Sequence, residues 1–212
     1  MNENKTLMKS VSKRAGYKRK FSIRGLYRSL KITIMNCIIK NLCLLFFICS
    51  LSFNSYAKKM EKILVGSTVP SFELKDQYGN QFNLDSVLGK KNLVIYFYPK
   101  DDTPGCTAEA CAFRDQFEVF KEADAMIIGI SGQSVKSHLN FAEKHNLNFT
   151  LLSDEGNNVR KIFGVPTNLL GLIPGRVTYI VNKEGIVLFI FNSQNDAKEH
   201  VTEALRILND IK

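Results

Sequence analysis

From residue 71 to residue 208, short apolar runs of strand length alternate with stretches of helical period, and that alternation confines the chain to one α/β domain. Residues 92–97 are apolar enough throughout to form a central strand buried on both faces, and residues 125–130 make a second. Between them, Cys106, Ala110, Phe113, Phe117 and Phe120 recur at spacings of 4, 3, 4 and 3, which predicts one helix over 106–121. Residues 71–75 and 81–84 flank Tyr78-Gly79-Asn80 as an N-terminal hairpin. Residues 176–181 and 186–191 make another around the turn 182–185. Further helices are expected over 134–145, capped by Ser134, over 157–163, ended by Gly164-Val165-Pro166, and over 196–208; residues 149–152 read as a short strand.

The first quarter of the chain has a different chemistry. Of the 29 Lys and Arg residues, eleven lie in 1–57 beside a single acid, Glu3, which leaves 18 basic and 19 acidic residues in the remainder. The formal net charge of +9 therefore belongs to the leader, and the remainder has no electrostatic footprint for nucleic acid. Lys40 precedes a mostly apolar run, 42–53, and Ser55 and Ala57 then supply the small residues of a secretory signal cut after Ala57. That run is shorter than the about 20 apolar residues a bilayer span needs. Bulky Ile48 before Cys49 argues against a lipoprotein site. Two destinations stand. One is export to an extracytoplasmic or periplasmic space, with a leader of ordinary length if translation starts at Met35. The other is an organelle, addressed by the Arg-, Lys- and Ser-rich, acid-poor residues 4–34. Export is favoured, giving a leader at 1–57, a folded domain at 58–212 and no stable membrane association once the leader is removed.

Cys37, Cys43 and Cys49 leave with that leader, so the domain keeps Cys106 and Cys111, too few for a disulfide scaffold. Cys106 follows a Pro-Gly loop at the first turn of the predicted helix, where the positive end of the backbone dipole favours the thiolate. It heads the phenylalanine stripe and so points inward, to the base of a pocket. Cys111 is five residues on, about 140° around the helix, and faces outward. On an intact helix the two Cα atoms would stand ~8.6 Å apart, beyond the ~7 Å within which disulfides form. Joining them requires the first turns to unwind.

Blander readings exist: two ordinary small core residues, or a static disulfide that the helix opposes. Zinc is disfavoured, because the pair with His138, His145 and His200 matches no ligand spacing, and the histidines read as solvated or capping residues.

Pro99-x-x-x-Thr103-x-x-Cys106 resembles the active-site loop of the peroxiredoxins, and Gly105-Cys-Thr-Ala-Glu-Ala-Cys111 is similar to their Q-type branch, the bacterioferritin-comigratory proteins. The resemblance spans 62–210 and includes Gly164-Val-Pro166, Leu172-Ile-Pro-Gly-Arg176-Val-Thr-Tyr179 and Phe191-Asn-Ser-Gln-Asn195. It implies a thioredoxin-like fold, a central mixed sheet flanked by helices, and a thiol peroxidase acting on hydrogen peroxide and organic hydroperoxides. By the resemblance Cys106 would be the peroxidatic cysteine and Cys111 the resolving one, joined in an intramolecular disulfide that thioredoxin or a similar dithiol reduces. Thr103 would hydrogen-bond peroxide and thiolate, Pro99 would shield the pocket, and Arg176 would stabilise the thiolate and polarise the O–O bond. No metal, haem or flavin is implied, and a monomer is expected. Gly132-Gln133 departs from the family, whose members often carry Asp there. A thiol–disulfide exchange protein is the alternative, although Cys-x-x-Cys is absent; a redox sensor with weak peroxidase activity is another.

Overall fold

The computed structural model describes residues 63–168 and 171–211, and residues 31, 34, 35 and 38–41, which are helical. The apolar run 42–53 and the cleavage site expected after Ala57 lie outside the described residues. The chain divides into two units, Met1–Lys59 and Met60–Lys212. In chain order the second forms β1 (Glu73–Asp76), β2 (Gln81–Asn83), β3 (Asn92–Phe97), α1 (Pro104–Asp115), α2 (Phe117–Glu122), β4 (Ala125–Ser131) and α3 (Val135–His145). There follow β5 (Thr150–Ser153), α4 (Asn158–Ile162), the two-residue strands β6 (Thr167–Asn168) and β7 (Ile173–Pro174), β8 (Val177–Val181), β9 (Val187–Asn192) and α5 (Glu199–Asp210). Among the described residues no helix is long and apolar enough to cross a membrane.

Seven strands make one mixed sheet in the order β2-β1-β5-β4-β3-β8-β9. The two apolar runs, β3 and β4, pair in parallel at its centre, from Asn92 opposite Ala125 to Phe97 opposite Ile130. On its other side β3 pairs with β8 in antiparallel register. Both expected hairpins form, β1 with β2 and β8 with β9.

Residues of β3 alternate between two cores, as the period of a strand requires. Val94 and Tyr96, with Tyr98 just beyond the strand, meet Phe113 of α1, Phe120 of α2, Phe141 of α3 and Ala204 of α5. Leu93, Ile95 and Phe97 face the opposite way, toward Leu84, Val159 and Phe163. This is the thioredoxin-like arrangement, a central mixed sheet covered on both faces.

The single helix expected over 106–121 is two. Gln116, at φ −102° and ψ 10°, breaks the axis between α1 and α2. The apolar stripe crosses the break unchanged, with Phe113 and Phe120 rings 5.6 Å apart, so periodicity could not reveal it. The helix also starts earlier, at Pro104, because proline has no N–H to lose in a first turn. Ser134 caps α3 as expected, accepting from the Ser137 amide.

Gly129 in β4 is required by close packing. A Cβ there would lie 2.7 Å from the Tyr96 ring and 2.8 Å from Leu151 Cδ2, and the ring, stacked on Phe113 at 4.7 Å, has nowhere to go. Gly129→Ala is expected to destabilise the domain by about 1–3 kcal/mol, the range for overpacking. Urea denaturation of the two proteins measures it.

Candidate active site

Three segments converge on Cys106. The first is the loop that leaves β3 after Phe97 and enters α1. Its last residue, Thr103, is the N-cap in extended conformation (φ −88°, ψ 149°), but its side chain makes no cap bond. The Thr103 hydroxyl donates instead to the Lys100 carbonyl at 3.1 Å, closing the loop on itself. Cys106 is the third residue of α1, so its sulfur belongs to the first helical turn, where backbone amides and dipole favour negative charge. The thiol is 1 % exposed among Tyr96, Tyr98 and Phe113, deeper than the base of an open pocket. Pro99 lies half-buried at the mouth of the same loop.

The second segment is the approach to β8, where Arg176 immediately precedes the strand. Its Nη2 donates to Cys106 Sγ at 3.4 Å, and its Nη1 donates to Glu109 Oε2. Arg176 is 3 % exposed and Glu109 wholly buried. Burial alone would depress the guanidinium, and the facing Glu109 and Cys106 more than reverse this, raising it. Burial pushes the Glu109 carboxyl up while Arg176 pulls it back, the upward push being the larger. Gly105 makes room for the guanidinium, since a Cβ there would stand 3.2 Å from Arg176 Nη2.

Arg160, from α4, is the third. Its Nη2 donates to the Tyr98 carbonyl at 2.6 Å and its Nη1 to the Gly175 carbonyl at 2.8 Å, the residues immediately before Pro99 and Arg176. One buried cation thus ties together the two backbones that carry the site. Its carbon lies 5.5 Å from the centre of the Phe97 ring, and burial pushes it down to about 10.

Cys111 corrects an expectation. It is half-buried rather than outward, in the wall of a cavity of about 750 Å³ that Val201, Thr202 and Leu205 of α5 help to line. A helix wheel of α1 alone could not foresee α5 packing across that face. Both cysteines are free thiols. The histidines correct another: His138 and His200 are fully buried rather than solvated. His200 Nε2 donates to the Ser193 carbonyl at 2.9 Å, and Nδ1 takes the Thr178 hydroxyl at 2.7 Å, 3.7 Å from Glu109 Oε1. Among the described residues no three His, Cys, Asp or Glu side chains form a metal-ligand group.

Sequence reasoning placed Cys106 and Arg176 together, and they are together. It passed over Glu109 and Arg160. Glu109 was detectable, because an acid three residues after Cys106 falls on the buried stripe. Arg160 carried no signal, being one of two cations in a short helix.

Residues 65–190 match the model of the AhpC/TSA family, more than half of the chain. The chain belongs to that family, in its peroxiredoxin Q branch. A chloroplastic peroxiredoxin Q of Sedum lineare is 52 % identical over 151 residues, 71 % of this chain and 81 % of that protein. One from Triticum aestivum is 51 % identical over 150 residues, 71 % and 69 %. Among solved structures, peroxidoxin BcpB of Mycobacterium tuberculosis superposes with a TM-score of 0.67 at 38 % identity, covering 71 % of this chain and 99 % of that one. The bacterioferritin comigratory protein of Xanthomonas campestris, an alkyl peroxide reductase, reaches 0.61 at 34 % identity, over 66 % and 91 %. The plant peroxiredoxins overturn the expectation of export. Both are named chloroplastic, which points to an organelle, the destination left open for the acid-poor leader. Composition alone could not separate the two, because basic, acid-poor leaders serve both.

His200 predicts an acid-side loss of stability. Burial pushes it down to about 4 from an ordinary 6.5, so below 6.5 the unfolded chain binds a proton that the folded protein refuses. Stability should therefore fall by roughly 3 kcal/mol between pH 6.5 and pH 4 and level off below. That part of the fall should vanish in His200→Asn, as denaturant midpoints across the range will register.

Proposed function

We propose that Cys106 is the attacking thiol and Cys111 the resolving thiol of this peroxiredoxin, a thiol peroxidase that reduces hydroperoxides and draws electrons from a thioredoxin-like dithiol. The contact between Arg176 Nη2 and Cys106 Sγ carries the assignment. A buried guanidinium on a sulfur at a helix N-terminus supports the thiolate, which is the nucleophile. The thiolate attacks one peroxide oxygen; the O–S bond forms as the O–O bond breaks, leaving Cys106 sulfenic acid, and the departing oxygen takes a proton to become water or an alcohol. Negative charge grows on that leaving oxygen, and Arg176 and the amides of the first turn are the fixed donors near enough to meet it. Thr103 and Pro99 shape the approach from the loop side. Organic hydroperoxides are included as substrates because the Xanthomonas relative reduces alkyl peroxides.

Cys111 then condenses with the sulfenic acid, releasing water and forming the disulfide that the external dithiol reduces. Helix α1 separates the two thiols, so its first turns unwind for this step. An organelle with its own dithiol system supplies that reductant, whereas an oxidising compartment would oppose it.

Cys106→Ser should abolish peroxide consumption. Cys111→Ser should still consume about one equivalent per chain and then stop with thioredoxin as donor. Peroxide assays with and without donor distinguish these outcomes; full turnover by Cys106→Ser would end the assignment. Hydrogen exchange over residues 106–114 should quicken on oxidation of the wild type, and equal protection in both forms would refute the unwinding.

A further inference from the structure

The loop that carries Thr103 and Cys106 is held from below by a buried group that the peroxidase chemistry does not use. His138 of α3 is fully buried, and Asp101 is 6 % exposed. His138 Nδ1 lies 2.9 Å from Asp101 Oδ2 and 3.2 Å from Oδ1, and Nε2 lies 3.2 Å from the Leu152 carbonyl oxygen of β5. Every other neighbour of the Asp101 carboxylate is a donor. Tyr98 Oη gives its proton to Oδ1 at 2.8 Å, and Ser137 Oγ gives its proton to Oδ2 at 2.6 Å. Because the Tyr98 hydroxyl is spent on Asp101, it faces His138 Nδ1, at 3.3 Å, as an acceptor. Both ring nitrogens therefore look at oxygen lone pairs. A neutral imidazole would aim one of its own lone pairs at an oxygen inside the core; only the doubly protonated ring satisfies both sides.

We infer that His138 is a positioning residue, held as an imidazolium whose buried ion pair with Asp101 clamps the loop 98–103 to α3 and β5 and so keeps the first turn of α1 wound around Cys106. The inference rests on the reading of Cys106 as the attacking thiol, and its two tests need no peroxide. Burial would push the Asp101 carboxyl up, and the bonds from His138, Ser137 and Tyr98 hold it below the usual carboxylate range, in keeping with a carboxylate facing a cation. Gln133 adds to the clamp by accepting from the Asp101 amide at 3.2 Å, which gives the family departure at that position a place in the structure. Among the described residues, the titratable groups facing the ring are Asp101 from the loop and Tyr98 beyond β3. From β5 comes only the Leu152 carbonyl, and Lys144 and His145 of α3 are taken up by exposed Asp102.

Nitrogen-edited NMR of the reduced wild-type protein at pH 6 reads the protonation directly: His138 should carry protons on both ring nitrogens, while His200 carries one, on Nε2. A single neutral tautomer at His138 overturns the inference. Hydrogen exchange over 98–107 at pH 6 supplies the second readout. Protection in His138→Phe and in Asp101→Asn should fall at least tenfold below that of the wild type. Protection unchanged in Asp101→Asn counts against the clamp even if His138→Phe does not fold. Failure of the peroxidase assay with these readouts intact would strike the catalytic assignment alone.

Discussion

A guanidinium buried in the core must be met by acceptors, and the geometry around Cys106 follows from how Arg176 meets that demand. One of its arms reaches Glu109 and the other the sulfur. Removing one partner of a buried pair commonly costs about 3–5 kcal/mol, because the other charge is left without solvent or counter-charge. Arg176 is therefore anchored by Glu109, and the anchor leaves its second arm aimed at the thiol. The pair also fixes α1 against the approach to β8, joining residues 67 apart in the chain. One side chain thus serves both the sulfur of Cys106 and the packing of the fold.

Arg160 and the Asp101–His138 pair extend the same logic to the backbone. Arg160 grips the two carbonyls that precede Pro99 and Arg176, and Asp101 fastens the loop before Cys106 to α3 and β5. On the proposed assignment, a resolving thiol on the same helix would demand the opposite property, since α1 would have to open before Cys111 could reach Cys106. The attachments on the N-terminal side of Cys106 would confine such an opening to α1 itself. On the far side, Cys111 faces a cavity rather than tight packing.

Much of this was legible along the chain. The two central strands, both hairpins and the apolar stripe of α1 and α2 follow from periods of 2 and 3.6 that burial imposes directly on sequence. The Cys106 loop and Arg176 were legible because proline, glycine and cysteine at fixed spacing leave a strong signature. Less legible were features that depend on a neighbour from elsewhere in the chain. His138 and His200 looked like solvated helical residues, since nothing local distinguishes a histidine that will be buried by another element. Cys111 looked outward until α5 covered its face. The break at Gln116 was invisible because the stripe passes through it in phase.

Local sequence, then, determined which segments are strand or helix, which residues face inward, and where the reactive sulfur enters its helix, because each depends on periodicity or on a few adjacent residues. Tertiary structure decided what that sulfur touches. The pairing of Arg176 with Glu109, the grip of Arg160 on two distant carbonyls, and the enclosure of Asp101 with His138 all join residues from separate elements. Their energies arise from burial, and burial exists only once the layers have closed over the sheet.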